Sequence, residues 1–157
     1  MRSINASHAR AGRADAAAQH WRGAFPVHDR IAYCLSSRES QRTIDSALRM
    51  AGFGPLPVEV GESVTILHEL ARCSGLVHDL YPWDITGPLQ LERLRHRFPH
   101  LLYFLYIPPR PGIADLLALC TRLNGVRAEL QQPGTSRESE RLRALLISML
   151  DDGPRVR

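Results

Sequence analysis

The chain contains no lysine: all 20 of its basic residues are arginine. That absence excludes whole classes of chemistry. Schiff-base catalysis, a Walker-type phosphate loop and kinase-type transfer each need a lysine amine. Cysteine is nearly as scarce. Cys34, Cys73 and Cys120 lie far apart in apolar surroundings, and an odd, scattered set fits neither a disulfide framework nor a metal knuckle. Reduced, buried thiols in a cytoplasmic protein are the expectation. No apolar run is long enough to span a bilayer, so no membrane contact is expected. No glycine-rich phosphate loop follows the first apolar run, and no serine sits in a Gly-x-Ser-x-Gly turn, which leaves nucleophile triads without support.

What is present is the pattern of one globular domain. The 157 residues are 44% hydrophobic with a net charge of +4, enough for a real core. Residues 1–28 stand apart. They are rich in Ala, Arg, Ser and His, hold Asp15 as their only acid and show no periodicity. They read as a disordered or weakly ordered extension with no secretory core. Residues 29–152 form the domain, and 153–157 a short tail.

Within the domain, strand and helix patterns alternate five times. Residues 30–35 read as a buried strand. Ser36-Ser37-Arg38-Glu39 is a capping box opening a helix, with Ile44, Ala47, Leu48 and Ala51 on one face and Gly52 at its close. Residues 55–60 give a short strand, and Ser63 caps the helix that follows. Leu76-Val77 is a third strand. Thr86-Gly87-Pro88 starts a helix with proline at its first position, and Leu91, Leu94 and Phe98 form its apolar stripe. Residues 101–107 are almost wholly apolar and aromatic, as a central parallel strand buried on both faces should be. Residues 113–123 read as a helix and 126–130 as a fifth strand. Thr135 to Glu138 gives a second capping box, ahead of a last helix carrying Leu142, Leu145, Leu146, Met149 and Leu150. Such alternation predicts a three-layer, doubly wound, five-stranded parallel sheet of flavodoxin-like type, in the order 2-1-3-4-5.

The candidate chemistry gathers in Leu76-Val-His-Asp79-Leu-Tyr-Pro-Trp-Asp84-Ile-Thr-Gly87. A buried strand ends on an acid, and ligands in open α/β sheets bind at such strand tips. One reading of His78 and Asp79, joined by His68 and Asp84, is a metal-dependent His-Asp phosphohydrolase. That family is helical, whereas this stretch reads as strand. The arginine-rich Arg93-Leu-Arg-His-Arg97 reads as a solvated helix face beside Glu92, so no direct nucleic-acid contact is expected.

From about residue 30 to 150 the chain resembles the receiver domain of two-component response regulators. The resemblance rests on Asp79-Leu-Tyr-Pro-Trp-Asp-Ile-Thr-Gly87 and on the helix and strand from Leu91 to Leu105 that follow, with Phe98-Pro99 between them. It implies a phosphoacceptor at Asp79, although Pro82 lies one residue short of the family spacing and could shift that place towards His78. It also implies a Mg²⁺ site, and here the departures are large. Ser36 and Ser37 stand where the family has its metal-binding acids. Tyr106-Ile107-Pro108 stands where it has a Thr or Ser, and Gln132, before Pro133, where it has its lysine. Mg²⁺ prefers several oxygen ligands, carboxylates among them, and phosphoryl transfer relies on cations placed against spread negative charge.

The expectation is therefore a degenerate receiver, a regulatory module that needs no phosphorylation, catalyses nothing and holds no cofactor, with Mg²⁺ entering only if Asp79 is a true phosphoacceptor. Two alternatives stand beside it: a genuine phosphorylated receiver, and the sensor half of a DNA-binding regulator lacking its effector. The partner is another signalling protein or a second copy. By the resemblance, the partner face comprises the fourth helix, fifth strand and last helix, presenting Asp115, Arg122, Arg127, Arg137, Glu138, Glu140 and Arg141. Its mixed charges serve either a salt-sensitive dimer or the solubility of a monomer.

Overall fold

The computed structural model describes residues 30–59, 64–123, 125–132 and 136–152. The expected extension and tail, and the caps at Ser63 and Thr135, lie outside the described residues. The elements follow in order as β1 (Arg30–Cys34), α1 (Arg38–Met50), β2 (Gly54–Pro57), α2 (Val64–Ala71), β3 (Gly75–His78), α3 (Thr86–Arg97), β4 (Leu102–Ile107), α4 (Ile113–Thr121), β5 (Val126–Leu130) and α5 (Glu138–Asp152). All strand pairs are parallel and the order is β2-β1-β3-β4-β5. This is the flavodoxin-like sheet that the alternating pattern predicts. None of the described helices is long and apolar enough to cross a membrane.

Side-chain alternation along the strands builds two cores. Ala32, Leu76, Tyr103, Leu105 and Ile107 face one side and pack with Leu70 of α2, Leu91 of α3 and Ile113 and Cys120 of α4. Ile31, Tyr33, Val77, Phe104 and Tyr106 face the other, against Ile44, Ala47 and Leu48 of α1 and Leu142, Leu146 and Met149 of α5. β4 is the shared wall: Tyr103 to Ile107 are buried without interruption. A strand covered on both faces must be apolar at both parities, and that is how its sequence reads. Cys73 and Cys120 are buried and Cys34 is half-buried; none of the three is in a disulfide.

Two helix starts differ from the sequence expectation. The N-cap of α1 is Ser37, whose hydroxyl accepts from the Ser40 amide at 3.2 Å; Ser36 is used elsewhere, as described below. Pro88 is the third residue of α3, not the first. It is tolerated because first-turn amides have no intrahelical partner. The N-cap is Ile85, which makes no side-chain cap bond, while Asp84 just before it accepts the Thr86 amide through Oδ1 at 2.7 Å. At the other end of α1, Gly52 takes φ 84°. The amides of Gly52 and Phe53 donate back to the Arg49 and Leu48 carbonyls, a glycine-dependent C-terminal lock.

α3 approaches the end of β3 so closely that only glycine fits at its second position. A Cβ on Gly87 would lie 2.2 Å from the Leu80 carbonyl oxygen. Gly87→Ala should therefore lower stability by about 1–3 kcal/mol, the usual range for overpacking. Urea unfolding of the two proteins measures it; an unchanged midpoint would mean that α3 moves freely off the loop.

Candidate functional site

β1 and β3 end side by side, with Cys34 opposite His78, so the segments leaving them meet at one edge of the sheet. Asp79 is the first residue past β3 and is only 2% exposed. Its carboxylate is saturated by its own chain. Oδ2 accepts from the Ser36 amide at 2.8 Å and the Ser36 hydroxyl at 2.5 Å. Oδ1 accepts from the Tyr81 amide at 3.0 Å. A buried carboxylate needs such donors, and these three tie the β1–α1 turn to the β3–α3 loop across 43 residues of sequence.

His78 does something else. Its ring is buried among apolar side chains, and Nδ1 accepts from the Leu80 amide at 2.8 Å. Burial lowers its pKa, against a smaller raising effect of the Asp79 charge. Because Nδ1 accepts, Nε2 carries the hydrogen, and among the described residues it has no hydrogen-bond partner. Of the two, Asp79 meets the exit of β1 and His78 turns inward.

The loop that follows is fixed by several bonds. Leu80 and Trp83 both adopt left-handed φ, 61° and 62°, a sparsely populated region for non-glycine residues. The Trp83 amide donates to the Leu80 carbonyl and the indole Nε1 to the Asp79 carbonyl, both at 2.9 Å. The Arg110 guanidinium lies 3.7 Å over the Trp83 ring, a cation–π contact from the β4–α4 loop. The Tyr81–Pro82 peptide bond is cis.

A second cluster links β4, β5 and the two helices of the other face. Gln131, not Gln132, is the inward glutamine. Its Oε1 accepts from the Ser40 hydroxyl and its Nε2 donates to the Tyr106 carbonyl, both at 3.0 Å. Gln132 is exposed, and its amide donates to Glu138 at 3.3 Å. Tyr106 donates its hydroxyl to Glu138 Oε1 at 3.0 Å. Burial, helped by Glu138, raises the Tyr106 pKa well above its ordinary range.

Glu138 is 7% exposed. Arg141 grips it through Nε at 3.0 Å and an end nitrogen at 2.6 Å, and also bonds Glu129 and the Leu130 carbonyl, each at 3.1 Å. Glu138 is therefore buried inside the domain and not an open charge of the face that the sequence suggests, while Arg141 is half-buried and engaged with it. Asp115, Arg122, Arg127, Arg137 and Glu140 are exposed, as such a face requires.

Nothing here matches a divalent-cation site. Among the described residues no three His, Cys, Asp or Glu side chains come together. His68 is exposed on α2, Asp84 is taken up by the Thr86 amide, and His78 points into the core. The structure does not assemble the phosphohydrolase set. At the receiver-like position, Ser36 supplies a neutral hydroxyl that already occupies Asp79 Oδ2. A Mg²⁺ ion, which favours several oxygen ligands in near-octahedral geometry, does not fit that donor set. The serine pair and the distant acid were visible in the sequence, but no local signal told that they bond.

Burial alone would raise the pKa of Glu138, but bonds from Arg141, Tyr106 and the Gln132 amide outweigh it and hold the carboxyl below its ordinary value of 4.5. A depressed carboxyl stabilises the fold above the unfolded value and loses that contribution as pH falls through the folded one. Glu138→Gln should thus be less stable at pH 7, and the gap to the wild type should narrow below the ordinary glutamate range. Urea midpoints at pH 7 and pH 3.5 give the comparison; a pH-independent gap would refute the charge-based account.

No protein-family model and no curated protein matches the chain. Among solved structures it is similar to a Burkholderia pseudomallei protein that bears a provisional pilus-assembly name. The TM-score is 0.61 at 16% identity, over 85% of this chain and 97% of that one. At that identity the likeness is one of fold: the chain has the doubly wound architecture of a five-stranded flavodoxin-like domain.

Proposed function

We propose that this domain is a non-catalytic regulatory module, a receiver-like fold that works by protein–protein contact without phosphorylation. The observation that carries the reading is the state of Asp79. In an active receiver this acid must attack a phosphoryl donor and be served by a metal ion and a cation. Here the carboxylate is buried and already accepts from the Ser36 hydroxyl and from the Ser36 and Tyr81 amides. After β5, Gln131 is neutral and bonded to Ser40 and Tyr106. The acid's role is to hold two loops in one arrangement, which fixes a binding surface rather than switching it.

The same clasp makes the module constitutive. A receiver changes shape because phosphorylation places new charge at the strand tips. A neutral hydroxyl in permanent contact with the acid gives no such change. The Burkholderia neighbour has this fold under a pilus-assembly name, so a macromolecular assembly is one setting in which to seek the partner.

Incubation with Mg²⁺ and acetyl phosphate, followed by intact mass measurement, should leave the protein unmodified; beryllofluoride with Mg²⁺ should leave its amide spectrum unchanged. A Mg²⁺-dependent adduct that Asp79→Asn abolishes would establish the phosphorylated-receiver reading instead. Asp79→Ala should cost about 1–3 kcal/mol of stability by leaving the Ser36 and Tyr81 donors unpaired.

A further inference from the structure

The two edges of the sheet are unlike. β2, at one edge, is Gly-Pro-Leu-Pro. Two prolines in four residues remove amide donors and blunt that edge against further pairing. β5, at the other, is Val-Arg-Ala-Glu-Leu with no proline, and Leu130 at its end is 45% exposed. Among the described residues no strand lies beyond it.

The bonds to β4 fix which backbone groups of β5 face outward. The Gly125 carbonyl accepts from the Tyr103 amide and the Gln131 amide donates to the Ile107 carbonyl. In the observed register, Arg127 and Glu129 share this inward parity. The amides and carbonyls of Val126, Ala128 and Leu130 therefore point away from the sheet, with Arg141 covering only the Leu130 carbonyl.

The five residues are also self-complementary. Place a second copy of β5 antiparallel to the first with a two-fold axis at Ala128. Ala128 then faces Ala128 of the other copy, Val126 faces Leu130, and Arg127 faces Glu129 twice. The first set shares the half-apolar face of β5 towards α4, and the second the charged face towards α5. Moving the axis to Arg127 or to Glu129 sets two like charges against each other, which is destabilising across a strand pair. All three registers keep the outward groups of Val126, Ala128 and Leu130 at the hydrogen-bonding positions. Among them only the axis at Ala128 opposes unlike charges.

We propose that the chain forms a two-fold homodimer by antiparallel pairing of β5 with β5 of a second copy, making one continuous ten-stranded sheet. The interface is isologous, as a two-fold axis requires. It is small, so the dimer is reversible and belongs to the weak class of about 1,200 Å² or less. Its charged pairs make it weaken with salt.

Sedimentation equilibrium of the full chain at low salt should show a monomer–dimer equilibrium. Arg127→Glu and Glu129→Arg should each raise the dissociation constant by at least about tenfold, since each sets two like-charge pairs across the axis. An equimolar mixture of the two variants should recover association, because only the mixed dimer pairs unlike charges, and native mass spectrometry would identify it. Ala128→Cys should crosslink on mild oxidation, because directly hydrogen-bonded antiparallel residues lie about 5.5 Å apart at Cα, within disulfide reach. Wild type, with its own three cysteines, is the control. A wild-type monomer at about 100 µM, where even a weak interface of this class should associate, overturns the proposal. So does a dimer indifferent to both charge reversals and uncrosslinked at position 128.

Discussion

A carboxylate that is almost entirely out of water must be satisfied, and the way Asp79 is satisfied fixes the C-terminal edge of this sheet. Three donors are needed, and two come from Ser36, which leaves β1 just where β3 ends. That requirement sets where α1 begins. With Ser36 drawn to Asp79, the helix takes its cap from Ser37. Ser40, in the first turn of α1, then meets Gln131 beyond β5. Through two short polar links, the exits of β1, β3 and β5 are held together. Charge-assisted bonds to a carboxylate contribute about twice a neutral one, so the first link is the stronger.

The second polar cluster works on the same principle from the other side of the sheet. Glu138 opens α5 and would favour that position for its negative charge against the helix dipole. It is also the acceptor for Tyr106, for the Gln132 amide and for both arms of Arg141. Removing one partner of a buried pair generally costs more than the pair contributes. The buried hydroxyl of Tyr106 is thereby tied to α5.

Much of the frame was legible because it depends on local pattern. β4 reads as doubly buried from residues 101–107 alone, and β5 matches its expected bounds. The site was less legible because its decisive contacts join residues far apart in sequence. Ser36 and Ser37 are chemically the same in the local code, and only an acid 43 residues away separates their roles. Gln131 and Gln132 differ only by strand parity: the first turns towards Tyr106 and Ser40, the second outward. Glu138 and Arg141 look like surface charges in any helical projection. The burial of Glu138 follows from Tyr106, 32 residues before it. Pro88 reads as a first helical residue, but the helix starts two residues earlier at Thr86, whose amide Asp84 accepts.

Polar groups at the strand tips are matched to partners within the chain: Ser36 bonds Asp79, and Gln131 bonds Ser40 and Tyr106. Without such partners a buried carboxylate would bear its full desolvation penalty; with them Asp79 serves as a structural acceptor. The left-handed Leu80 and Trp83 belong to the same economy. Strained residues of this kind persist only where the surroundings over-determine them, and here the His78 ring, the Asp79 carboxylate and carbonyl, and the Arg110 guanidinium all hold the loop. A loop held by so many bonds in the resting chain has little conformational freedom left for a ligand to redirect, because a ligand shifts an equilibrium only by its differential affinity for two accessible states.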